Sequence, residues 1–108
     1  MSIDLCGDGF FARLTREEDT VTVQVLARDE SAEARLQLLA EFRCGLDELV
    51  AVLTGYTLQL SNDRGDFLLA SPDPGGVNVA FTVGDRSRAC VVERAVFGQF
   101  LLGQDSMI

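Results

Sequence analysis

Few side chains in this sequence could do chemistry. Three cysteines, Cys6, Cys44 and Cys90, offer thiols, and 17 acidic residues offer carboxylates. Histidine and lysine are both absent. Without histidine the chain lacks the usual general base near neutral pH and the commonest metal ligand. Without lysine it lacks Schiff-base chemistry and the phosphate-binding loop. All nine basic residues are arginine, so arginine is the only basic partner a thiol could find. The cysteines are an odd, widely spaced set with no Cys-x-x-Cys pair, which predicts neither a disulfide framework nor a zinc site. Cys44 and Cys90 stand among apolar residues and read as small buried hydrophobes. A reducing cytoplasm is the default expectation.

Three short motifs invite a functional reading, and each also has a structural one. Arg64-Gly65-Asp66 matches the tripeptide of integrin ligands, yet glycine between polar residues is what a hairpin turn needs. Asn62, Asp63 and Asp66 suggest a cation, but their spacing departs from the calcium-loop pattern. Gly7-Asp8-Gly9 lacks the third glycine and the strand-to-helix context of a dinucleotide fingerprint, and reads as a bend before a strand. No catalytic, cofactor-binding or metal-ligating residue is assigned, and no cofactor is implied.

The net charge of −8 argues against binding a nucleic-acid backbone and would suit a basic protein partner. The candidate partner-binding residues are the loop acids Glu17, Glu18, Asp19, Asp29, Glu30 and Glu33. They would speed encounter by electrostatic steering. Solvation of ordinary loops explains the same residues. No signal peptide or membrane-spanning apolar run is visible, so no membrane partner is expected.

These loops need elements to position them. Phe10, Ala12 and Leu14 alternate with Arg13 and Thr15, and Val21, Val23 and Val25 alternate with Thr22 and Gln24. β-branched residues at period two predict strands. Leu36, Leu38, Ala40 and Phe42 point one way and Arg35, Gln37, Glu41 and Arg43 the other, with Leu39 the exception. Leu46, Leu49, Val50 and Leu53 then fall at helical spacing, with Asp47 and Glu48 matched to the helix dipole and Gly55 placed to close the last turn. Strand patterns resume over residues 57–61, 67–70, 77–83 and 89–94. Residues 71–76 form the strongest loop signal. Residues 96–102 fit helical spacing, but Gly98 and Gly103 weaken it. No internal repeat is visible.

The expectation is a single α+β domain over residues 1–108. It has a mainly antiparallel sheet of six to seven strands, one short central helix at about 46–54, and a short C-terminal helix as an open alternative. In a meander the loop at residues 17–19 shares one end of the sheet with Asp47 and Glu48, and residues 29–33 lie at the other end.

A strand leading into Leu46-Asp47-Glu48-Leu49, followed by Leu58-Gln59-Leu60 and Phe67-Leu68-Leu69, resembles small bacterial immunity domains of the WapI type. It is also similar to related actinobacterial domains of unknown function. The resemblance spans residues 10–102 and rests on element order and apolar pattern. It implies a small cytosolic protein that binds and blocks a toxin domain, without catalysis. Two other readings stand beside it: a small-molecule or regulatory domain with a pocket between sheet and helix, and a structural or oligomeric bacterial domain. A homodimer through edge strands is compatible with all of them.

Overall fold

The computed structural model describes residues 1–29 and 35–102. The first half is a four-stranded antiparallel meander of β1 (Ser2–Leu5), β2 (Phe10–Glu17), β3 (Thr20–Arg28) and β4 (Leu36–Gly45), followed by helix α1 (Leu46–Leu53). The second half repeats that order: β5 (Leu58–Ser61), β6 (Phe67–Asp73), β7 (Gly76–Val83) and β8 (Arg86–Glu93), followed by α2 (Arg94–Leu102). The α+β class and the antiparallel pairing agree with the sequence pattern. The strand count differs, because the described residues form two sheets with eight strands and two helices. The order ββββα occurs twice, a repeat of topology that the residues themselves do not advertise.

The differences have local causes. β1 is only four residues long and carries Asp4, so its alternation is too brief to register. Residues 71–73 continue β6 despite Pro72, and only Pro74 and Gly75 form the turn. Gly76 is what closes this hairpin. Its φ is +146°, and a Cβ there would lie 2.1 Å from the Val92 carbonyl oxygen, so no other residue fits so close to β8.

Leu39 breaks the alternation of β4 because the strand bulges there. Val25 pairs with Ala40, but Leu26 pairs with Leu38. The extra residue shifts the phase of the strand. Ala40, Phe42 and Cys44 face the core, whereas Leu36 and Leu38 turn to the outer face and stay exposed. The expectation that all four alternating residues share one buried face is therefore corrected at its first half.

α1 is held at both ends. The Glu48 carboxylate accepts from the Gly45 N–H at 2.8 Å, and the Leu46 N–H donates to the Asp19 carbonyl at 2.7 Å. Gly55 (φ +112°) lets its own N–H reach the Val52 carbonyl, and the Arg94 guanidinium donates to the carbonyl of Leu53. The buried stripe of α1 runs through Leu49 and Val52, while Leu46 and Val50 lie at its border, partly open. α2 is a helix in full, burying Phe97, Phe100 and Leu101, and Arg16 donates to the Leu101 carbonyl at 2.9 Å.

One apolar cluster contains the inner faces of both sheets and the buried faces of both helices. Phe10 of the first sheet meets Phe81 of the second with ring centres 5.2 Å apart. No helix among the described residues is long and apolar enough to cross a membrane.

Candidate functional site

The β2–β3 hairpin turns through Glu18 and Asp19, with Glu18 in the left-handed region at φ +55°. Glu17, Glu18 and Asp19 are all exposed. Thr20 pairs with Gly45, which carries the start of α1 to the same edge of the first sheet. The result is an open hollow of about 740 Å³. Its floor is Leu46, Val50 and Ala51, and its rim holds Asp19 and Asp47. A second, more polar hollow of about 340 Å³ adjoins it through Thr20, lined by Glu17, Glu18, Thr22 and Arg43.

The electrostatics of this end follow from its hydrogen bonds. Asp47 Oδ1 accepts from the Glu48 N–H at 3.0 Å, and Asp19 Oδ1 accepts from the Thr20 hydroxyl at 3.4 Å. Among the described residues, Glu17, Glu18, Asp19 and Asp47 form no ion pair. Arg43 lines the polar hollow with Glu17 and Glu18, while Asp19 and Asp47 sit beside accessible apolar carbon with no cation in the lining they share. Such a surface suits a cation carried on an apolar stem.

The structure thus brings Glu17, Glu18 and Asp19 together with Asp47. Asp29 is placed elsewhere, beyond the far end of β3, where its N–H donates to the Arg35 carbonyl at 2.7 Å. A nine-residue strand separates the two ends by roughly 30 Å at about 3.4 Å per residue. Glu30 and Glu33 lie outside the described residues. The apolar floor was hidden in the sequence because Leu46 and Val50 share helical spacing with Leu49, and spacing alone does not show which border of the stripe stays open.

The remaining candidates resolve into structure. Asp66 is only 5% exposed, so the Arg64-Gly65-Asp66 tripeptide cannot present its carboxylate. Asp66 instead accepts from Asn62 Nδ2 at 3.0 Å and from the Gly84 N–H at 3.1 Å, tying two hairpin turns together. Those bonds, led by Asn62, hold its carboxyl below the ordinary value against the opposing effect of burial. Among the described residues no group of acids and cysteines is arranged to hold a metal.

Cys90 is not a free buried thiol: it is joined to Cys6 in a disulfide, which corrects the reading of unpaired cysteines. Wide spacing concealed the pair, because the topology brings the β1–β2 connection against β8. Cys6 sits at φ +72°, and Arg88 fixes the same connection by donating to the carbonyls of Cys6 and Phe10. Cys44 is free and buried, and burial, with Glu48 and Asp47 nearby, pushes its thiol up to about 11. Its thiolate is therefore scarce at neutral pH.

Comparison with family profiles, curated proteins and solved structures finds no match to this chain.

Proposed function

We propose that the chain is a non-enzymatic interaction protein that uses the acidic end around α1 to grip a basic, partly apolar surface of a protein partner. One observation carries this reading: the hollow floored by Leu46, Val50 and Ala51 and rimmed by Asp19 and Asp47, with no cation of its own to neutralise it. Unpaired surface carboxylates raise the encounter rate with a positive partner, and the apolar floor supplies burial once contact is made. The resemblance to immunity domains of the WapI type names the partner class, a toxin domain, with inhibition by occlusion. Glu17 and Glu18 extend the acidic rim along the hairpin.

Co-expression with a toxin encoded beside it, and capture from the native host, test this reading. The wild type protects cells, and Asp19→Arg with Asp47→Arg loses protection while keeping the wild-type circular dichroism spectrum, with a melting temperature lowered by a few degrees because Asp47 favours the start of α1. Protection that survives the double charge reversal overturns the assignment of the site. Absence of protection and of any captured partner overturns the immunity reading itself.

A further inference from the structure

The bond between Cys6 and Cys90 joins the fold where one strand is weakly held. β1 is an edge strand of four residues whose ladder partner is β2. Leu5 is its one buried residue; Ile3 is half-buried, and Ser2 and Asp4 are exposed. Beyond the ladder, its ties are the bond from the Arg16 N–H to the Met1 carbonyl at 2.9 Å, the Ser2–Thr15 hydroxyl pair at 3.1 Å and the Asp4–Arg13 ion pair at 2.8 Å. The last two are exposed, and contacts of that kind add little. An edge strand with few buried contacts can open alone, whereas a strand in the middle of a packed sheet opens with the whole fold.

The firm end of β1 is its connection to β2. Cys6 and Gly7 both lie at positive φ, +72° and +109°. For Cys6, which carries a Cβ, that backbone is unfavourable and persists only where its surroundings impose it. Two residues of β8 impose it. Cys90 holds Cys6 covalently, and Arg88 donates to the carbonyls of Cys6 and Phe10 at 2.9 and 2.8 Å. A Cβ on Gly7 would lie 2.7 Å from Arg88 Nη1, so the connection is packed against that guanidinium. Of these two holds, the disulfide can be cut and remade without touching the rest of the chain. Cys6 and Cys90 are both half-buried, unlike the buried Cys44, so the bond lies near enough to the surface to meet an attacking thiolate.

We propose that the Cys6–Cys90 bond is a redox latch on β1. Oxidised, it pins the β1–β2 connection to β8 and keeps β1 on β2. A dithiol reductant opens it by exchange: one thiolate attacks a sulfur of the bond, and the second thiol of the reductant then resolves the mixed disulfide. Two electrons and two protons pass to the protein, which leaves with two thiols, and the reductant leaves as its own disulfide. In the reduced protein the connection is held by Arg88 without the cross-link, Cys6 can leave its left-handed conformation, and β1 opens from the folded state far more often. Each opening uncovers the edge of β2 from Ala12 to Thr15. It also uncovers the side of α2 at Val96 and Phe100, which share a hollow of about 240 Å³ with Met1 and Ile3. The acidic hollow plays no part in this inference.

Hydrogen exchange read by mass spectrometry on the full chain tests it, well below the melting point of the reduced protein and with labelling for seconds to minutes. Oxidised protein protects the amides of β1. Dithiothreitol, added without denaturant, speeds their exchange at least about tenfold, while β3 and β7, in the middle of their sheets, stay protected. Reoxidation restores the protection. Cys6→Ser with Cys90→Ser exchanges like the reduced wild type whether or not the dithiol is present. A β1 that keeps its protection after reduction overturns the latch. Loss of protection in β1, β3 and β7 together also overturns it, because the bond then staples the whole fold. So does a bond that the dithiol cuts only in denaturant.

Discussion

Reducing the Cys6–Cys90 bond tests the fold most sharply, because it removes a cross-link without altering a side chain in the core. The bond closes a loop between residues 84 apart in sequence. A loop of that size restricts the unfolded chain by about 4.5 kcal/mol in the chain-entropy picture. Unfolding a 108-residue chain gains about 0.23 kcal/mol per kelvin near the midpoint, so the loss lowers the melting temperature by about 20 °C. The β1–β2 connection keeps its two bonds from Arg88 in the reduced protein, so the native fold persists below the new midpoint. The assay is thermal unfolding by circular dichroism with and without a dithiol reductant, alongside the Cys6→Ala and Cys90→Ala double variant. The variant melts with the reduced wild type and ignores the reductant. Oxidised and reduced forms that melt within about 5 °C of each other differ by only about 1 kcal/mol and refute the argument. Peptide mapping of oxidised protein that finds residues 6 and 90 unlinked refutes it outright.

Three further outcomes follow from single residues. Leu49 is 1% exposed between both sheets, so Leu49→Ala costs about 3 kcal/mol in urea unfolding, and Leu49→Asp leaves no cooperative transition. Asp66 titrates below its ordinary value in the folded protein; the stability this gives is present at pH above about 4 and is lost as pH falls through the depressed value, so Asp66→Asn flattens the acid limb of a melting-temperature profile. Cys44, with its thiol raised to about 11, resists iodoacetamide at neutral pH in the native state and reacts at once in denaturant, as intact mass shows.

Sequence patterning revealed those elements whose burial is one-sided and long enough to repeat. β2, β3 and the second half of β4 announce themselves because Leu14, Val23 and Phe42 point into a core while Arg13, Gln24 and Glu41 meet water. The bulge was legible only as an anomaly at Leu39, since a phase change has the same local appearance as one misplaced residue. Pro72 misled because proline usually ends a strand, yet the β6–β7 register simply runs past it to Asp73. The acids of the hairpin were visible, but the hollow beside them depends on how α1 is rolled about its axis, which tertiary packing sets. The disulfide was the least legible feature. Its two sulfurs meet only because sheets built from opposite ends of the chain are packed together.

All six strand ladders join neighbours in sequence, and most turns between them are short. Each meander with its helix can therefore assemble from local hairpins, which form on the microsecond scale, before any distant segments meet. The slow, entropically costly step is the docking of one ββββα half on the other. The Cys6–Cys90 bond comes after that step: thiol oxidation takes seconds to hours, so the cross-link seals two halves that have already met and holds together two units that one chain happens to connect.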